Sequence, residues 1–164
     1  MKTLLLMRHA KSDWDADYGS DHDRPLNDRG SRNARLMGRV LANEDLVPDL
    51  VISSTALRAR RTAELASEAG NWDSEIVLDP SLYDEGPRGV LEVGAAAPDG
   101  NTLMLVGHQP TWSMLVSAVT GERAEMKTAT VAVIELDIES WADLAGASGT
   151  LTRVLDPKTY DRKP

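Results

Sequence analysis

Two histidines of this chain stand in the same setting. Leu6-Met7-Arg8-His9-Ala10 ends an apolar run that begins at Thr3, and Gly107-His108 follows Thr102-Leu103-Met104-Leu105-Val106. Short apolar runs of this kind read as buried strands, and open α/β sheets put ligands beyond the carboxyl ends of their strands. The chain has three histidines, so two of them closing predicted strands is informative. A neutral imidazole can attack phosphorus and divide one hard displacement into two easier ones. It then needs neighbours that neutralise charge on the equatorial phosphoryl oxygens, because phosphoryl transfer depends on positioning and electrostatics. Arg8 lies beside His9, and Arg58 opens the helix after the second strand, where free backbone N–H groups also favour anions. His108 adds a further donor. Their placement at three successive strand ends predicts a phosphate site with a histidine nucleophile and no metal.

The elements that must position these groups alternate along the chain. Strand Thr3–Met7 leads through a polar loop to a helix capped by Asn27 and running to about Asn43, with Leu36, Met37, Val40 and Leu41 as its apolar stripe. Asp49–Ile52 is a second strand, followed by a helix to Ala69 closed by Gly70. Glu75–Leu78 reads as a short strand and Gly89–Ala97 as a short helix. Thr102–Val106 is the third core strand, followed by a helix over Thr111–Val119 that Gly121 ends. Thr130–Leu136 and Thr150–Leu155 alternate in the manner of antiparallel edge strands. The order predicts one domain over residues 1–164: a three-layer α/β/α sandwich with a mostly parallel sheet and antiparallel edge strands.

Composition narrows the classes. At 164 residues, 41% apolar and 27% charged, the chain suits one folded domain with one core. A net charge of −8 argues against a nucleic-acid partner, so an anionic ligand must be captured by local arginines. No apolar stretch nears the roughly 20 residues of a membrane span. The opening residues show no signal-peptide pattern, so the cytoplasm is the expected compartment. Without cysteine there is no disulfide, thiolate metal site or Cys nucleophile. Asp13-Trp14-Asp15-Ala16-Asp17 begins like a calcium loop, but Arg24 takes the twelfth position and Gly19 the seventh, so calcium is not expected. His22 in that loop is expected at the surface. Arg32, Arg35, Arg39 and Arg60 are expected on solvated helix faces.

The blocks around these residues resemble the histidine phosphatase superfamily, also called phosphoglycerate-mutase-like. Leu6-Met7-Arg8-His9-Ala10 resembles its Arg-His-Gly signature, with Ala10 where many members have Gly. Ser54-Thr55-Ala56-Leu57-Arg58-Ala59-Arg60-Arg61-Thr62-Ala63 is similar to its second block, with Thr55 in place of a Pro, and Val106-Gly107-His108-Gln109-Pro110 to its third. Asp23-Arg24-Pro25-Leu26-Asn27, Trp14 near the first block, and Trp141-Ala142-Asp143-Leu144 resemble the small SixA-type phosphohistidine phosphatases.

The resemblance implies that His9 becomes phosphorylated, that Arg8, Arg58 and His108 bind the phosphoryl group, and that Arg24 adds a phosphate-side or substrate-side contact. Larger members carry a proton donor before the third block. The matching segment here, Ser81-Leu82-Tyr83-Asp84-Glu85-Gly86, offers Asp84 and Glu85 as candidates. A phosphohistidine substrate lowers the need for that acid, since its P–N bond is labile. The short chain also leaves no room for the specificity lid of larger members. The expected function is a cofactor-free phosphatase acting on a His-phosphorylated protein of a phosphorelay or phosphotransfer system, working as a monomer. The alternatives are a phosphomonoesterase acting on a small phosphorylated metabolite and a non-catalytic phosphoprotein-binding module.

Overall fold

The computed structural model describes residues 1–161. Six strands form one sheet: β1 (Lys2–Arg8), β2 (Leu50–Ser53), β3 (Glu75–Leu78), β4 (Thr102–Gly107), β5 (Val131–Leu136) and β6 (Gly149–Leu155), in the order β3-β2-β4-β1-β5-β6. The first four named neighbours run parallel, and β5 pairs antiparallel with both β1 and β6. The helices are α1 (Asp28–Asn43), α2 (Leu57–Ala69), α3 (Ser81–Asp84), α4 (Pro87–Ala95), α5 (Thr111–Thr120) and α6 (Pro157–Tyr160), with 3-10 turns at Asp21–Asp23 and Trp141–Gly146.

The continuous apolar runs are explained by burial on both faces of the sheet. Leu5, Met7, Met104, Val106, Val131 and Val133 point into one core with α1 and α2. The alternate residues Leu4, Leu6, Leu103, Leu105, Ala132 and Ile134 point into a second core with α4, α5, Trp112 and Trp141. This is the expected three-layer sandwich. One expectation needs correcting: β5 is an interior strand, buried on both faces, and only β6 forms the edge on that side. β6, with four of its seven residues exposed, is the half-solvated strand that the alternation describes.

The expected caps are present in part. The Asn27 side chain accepts the Gly30 N–H at 2.8 Å, and Gly121 closes α5 in the left-handed conformation at φ 73°. Gly70 closes α2 with φ −86°, and the left-handed residue is Asn71 at φ 55°. Gly70 is needed for room instead: a Cβ there would run into the Gly38 carbonyl of α1 and the Trp72 indole nitrogen. The short helix expected at Gly89–Ala97 is α4, which starts two residues earlier with Pro87 in its first turn. The elements absent from the reading, α3, α6 and the 3-10 turns, span three to six residues each, too few to show a helical period. Among the described residues no helix is long and apolar enough to cross a membrane.

Candidate active site

The carboxyl ends of β1, β2 and β4 open onto a cleft of about 570 Å³, lined by Arg8, His9, Arg24, Arg58 and His108 among others. Five groups separated in sequence by up to 100 positions thus share one wall, and each has a local reason to be there.

His9 follows the last residue of β1 and is 7% exposed. Its backbone N–H donates to the Gly107 carbonyl at 2.9 Å, and the Arg8 and His9 carbonyls both accept the Ala129 N–H at 3.1 Å. The strand end is therefore held on both sides. His9 Nδ1 lies 2.7 Å from the Ala10 carbonyl oxygen. A carbonyl only accepts, so the ring proton sits on Nδ1 and the lone pair on Nε2. Burial pushes the His9 pKa down to about 3; the Ala10 hydrogen bond opposes this, while His108, Arg58 and Arg8 add to it. At neutral pH His9 is an uncharged imidazole with a defined tautomer, which is what a nucleophile requires.

Ala10 is fully buried within the core, which receives its Cβ. Its N–H donates to the Thr62 hydroxyl at 3.0 Å, and that hydroxyl donates to the Arg58 carbonyl at 2.7 Å. Thr62 sits one turn beyond Arg58 on α2, so this side chain ties the residue after His9 to the helix that carries the guanidinium.

His108 follows the last residue of β4, Gly107, which is required for space: a Cβ there would enter the Trp112 ring. His108 Nε2 and Ser54 Oγ are joined by a 2.8 Å hydrogen bond, and the His9 and His108 ring centroids are 5.2 Å apart. Burial, with Arg58 beside it, pushes the His108 pKa down to about 4, so the ligand-free ring is neutral at pH 7. Arg8 donates to the Met126 carbonyl at 3.1 Å, and Arg58 donates to the Asp21 carbonyl at 2.7 Å. The Nε atoms of Arg8 and Arg58 are buried and have no hydrogen-bond partner among the described residues.

Arg24 belongs to the same wall. It donates through Nε to Ser12 Oγ at 2.9 Å, and its guanidinium stacks 3.5 Å from the Trp14 ring centroid. Asp84 lines the cleft as an exposed residue. Glu85 does not reach it: the chain turns out of α3 there, and Glu85 lines a separate groove between β3 and α4. As a candidate proton donor Glu85 is therefore misplaced. Among the described residues no group of three His, Cys, Asp or Glu side chains is placed to hold a metal.

Neither Asp21 nor Tyr83 is a site candidate in the sequence motifs, yet Asp21 reaches the arginines of the cleft wall and Tyr83 reaches Asp21. The 3-10 turn at Asp21–Asp23 brings the Asp21 carboxylate onto Arg58 Nη2 at 2.9 Å, onto Arg24 Nη1, and under the Tyr83 hydroxyl, which donates at 2.9 Å. Partial burial acts to raise the Asp21 pKa, but hydrogen bonds from Tyr83, Arg58 and Arg24 outweigh it and hold the group at about 2. Only an acid followed three residues later by Arg24 hinted at this in the sequence. His22, expected at the surface, is half-buried: Nε2 meets Thr55 Oγ1 at 2.8 Å and the ring meets Tyr83 edge-on at 4.9 Å. The turn folds back over the start of α2, which a loop reading cannot foresee. Arg60 is also half-buried, whereas Arg32, Arg35 and Arg39 are exposed as expected.

Comparison with known proteins agrees with this geometry. The sequence profile of the histidine phosphatase superfamily (branch 1) matches residues 4–86. A candidate phosphohistidine phosphatase SixA from Nakamurella multipartitia superposes with a TM-score of 0.84 at 31% identity, covering 95% of this chain and 96% of that one. The protein histidine phosphatase SixA in complex with tungstate superposes with a TM-score of 0.77 at 25% identity, covering 96% and 98%. A Mycobacterium tuberculosis protein of uncharacterised function is 37% identical over 84% of this chain and 91% of its own. The chain belongs to the histidine phosphatase superfamily.

Proposed function

We propose that this phosphatase removes the phosphoryl group from a phosphohistidine carried on another protein, through a phosphorylated His9. The carrying observation is the fixed His9 tautomer: Nδ1–H is held by the Ala10 carbonyl, leaving Nε2 as the nucleophile in a cleft with Arg8, Arg58 and His108. In the first step a bond forms from Nε2 to phosphorus as the substrate's P–N bond breaks. The substrate ring takes a solvent proton on its distal nitrogen and leaves as neutral imidazole. In the second step water attacks phosphorus, the P–Nε2 bond breaks, and the water proton returns to solvent. Because Nδ1 keeps its proton throughout, His9 also departs as neutral imidazole. Arg8, Arg58 and His108 receive the charge on the phosphoryl oxygens in both steps, and Arg24 extends the anion-binding wall.

The acid side of the site favours an N-linked substrate. An ester must leave as an alkoxide and gains from a protonated carboxylic acid. The carboxylate packed among the arginines is Asp21, held ionised at about 2. The similarity to SixA proteins supports the same substrate class. One observation favours a second reading, a phosphomonoesterase of small metabolites: Asp84 does line the cleft.

The test is phosphate release, without added metal, from a phosphohistidine-bearing protein and from a panel of phosphoesters, by wild type and His9→Ala. Release mainly from the phosphohistidine protein, lost in His9→Ala, is expected. Faster ester turnover that Asp84→Asn abolishes would move the function to ester hydrolysis. Absence of an acid-labile phosphate on His9 under rapid quench would leave a binding module.

A further inference from the structure

The sheet is incompletely covered on the side that carries α4 and α5. Between β3, an edge strand, and α4 lies a groove of about 450 Å³, floored by Leu50, Ile52, Val77 and Val93. Register accounts for its floor: Leu50 pairs with Glu75 and Ile52 with Val77, so these side chains share one face. α4 leans away from them onto the 3-10 turn at Trp141–Gly146, where Gly94 lets Leu144 approach closely. Val77 consequently keeps 39% of its surface exposed and Leu78, on the opposite face, 42%. Edge strands are usually protected by Lys, Pro or a bulge. β3, Glu75-Ile76-Val77-Leu78, has no Lys or Pro and lies at the sheet edge, so among the described residues no strand pairs with its outer side, the geometry that strand addition uses.

The rim of this groove carries Glu75, Asp79, Glu85 and Glu92, and among the described residues no Lys or Arg lines it. Asp79 Oδ1 accepts the Ser81 N–H, but among the described residues Glu75, Glu85 and Glu92 form no ion pair. An apolar floor with an unneutralised acidic rim is complementary to a segment that is both apolar and basic. The groove adjoins the catalytic cleft. α3 is the wall between them, with Ser81 lining the groove while Tyr83 and Asp84 line the cleft.

We propose that this groove docks an extended, apolar and basic segment of the substrate protein that flanks the phosphohistidine presented to His9, an assignment that rests on the phosphohistidine reading above. Cleft and groove then divide the work by charge: Arg8, Arg24 and Arg58 take the phosphoryl group, and the acidic rim takes the flank. A helix is about 10 Å across with its side chains, so about three extended residues bridge the wall.

The test uses the full chain, two synthetic peptides with one central phosphohistidine, and N-phosphorylimidazole. One peptide carries alternating Leu and Lys on both flanks, the other alternating Leu and Glu. The Lys peptide is expected to show about ten-fold higher kcat/KM, the difference shrinking as salt screens it. Glu75→Lys/Glu92→Lys should abolish or reverse that preference and leave N-phosphorylimidazole turnover unchanged, which also shows that the variant is folded. Equal turnover of the two peptides, or a preference that the double variant retains, overturns the proposal. A wild-type dimer in sedimentation that the double variant breaks would assign the groove to a second copy of this chain and overturn it as well. Failure to hydrolyse all three phosphoramidates overturns the phosphohistidine reading itself, an outcome distinct from hydrolysis without preference.

Discussion

The ends of β1 and β4 look alike in sequence, each an apolar strand delivering a histidine, yet the fold makes them chemically different. At β1 the His9 ring leans on the next residue's carbonyl, a partner that only accepts and so fixes the tautomer. At β4 the His108 ring meets the Ser54 hydroxyl, which can donate or accept and leaves the proton free to follow the ligand. His9 is also the more deeply buried, with a pKa near 3 against about 4. The proposed nucleophile is thus marked by the partner of its second nitrogen, while the other histidine has a partner that lets it serve as a donor. Two residues of one type at equivalent strand ends acquire separate roles through single hydrogen bonds.

That asymmetry can be broken from either side. His9→Ala is expected to lower kcat by about 10⁴-fold or more and to eliminate the acid-labile phosphoenzyme, because it removes the proposed nucleophile. His108→Ala should cost about 10²-fold, the scale of one lost donor to a developing oxyanion, and still form phospho-His9. Labelled phosphate appearing on His108 in the His9 variant would collapse the distinction. Asp21→Asn acts on the wall that both histidines share. Removing its charge from Arg58 and Arg24 is expected to tighten tungstate binding by about ten-fold, as measured by competitive inhibition.

The pH dependence sharpens the comparison in a smaller way. kcat/KM reports ionisation in the free enzyme, so its acid limb should lie near pH 3, where His9 charges and loses its Nε2 lone pair, while His108, a donor to the phosphoryl oxygens, gains a charge near 4 that leaves that role intact. A limb at 6.5 would contradict a buried, neutral His9. Stability carries the same signature with a definite sign. Below the unfolded value of 6.5 the unfolded chain binds protons that the folded chain refuses until about 4 at His108 and about 3 at His9. Stability therefore falls as pH drops from 6.5 through that window. His9→Asn and His108→Asn should each flatten the fall in Tm between pH 6.5 and 4, His9→Asn the more.

Much of this was legible in the chain. The strands were readable because burial on both faces demands unbroken apolar runs, and α1 and α2 because an amphipathic stripe repeats over several turns. His9, Arg8, Arg58 and His108 were readable because each sits at a fixed offset from the end of such an element. Arg24 came from a block resemblance, and the structure places it in the same wall. Asp21 was not legible: its role depends on a three-residue turn folding onto α2, and on Tyr83 arriving from 62 positions away. Glu85 and Asp84 were indistinguishable as adjacent carboxylates, yet the end of α3 sends one into the groove and leaves the other at the cleft.

The sequence by itself determined the layers, the strand ends and the residue types that line the cleft, because local periodicity and short motifs encode what each element buries and what it delivers. Only the tertiary structure decided which nitrogen of His9 is free, that Asp21 restrains the arginines, and that β3 is left with an acidic, apolar groove beside the cleft. Those properties depend on distances between side chains far apart in the chain, and on which partner can only accept a hydrogen bond. Such facts exist only once the elements have packed.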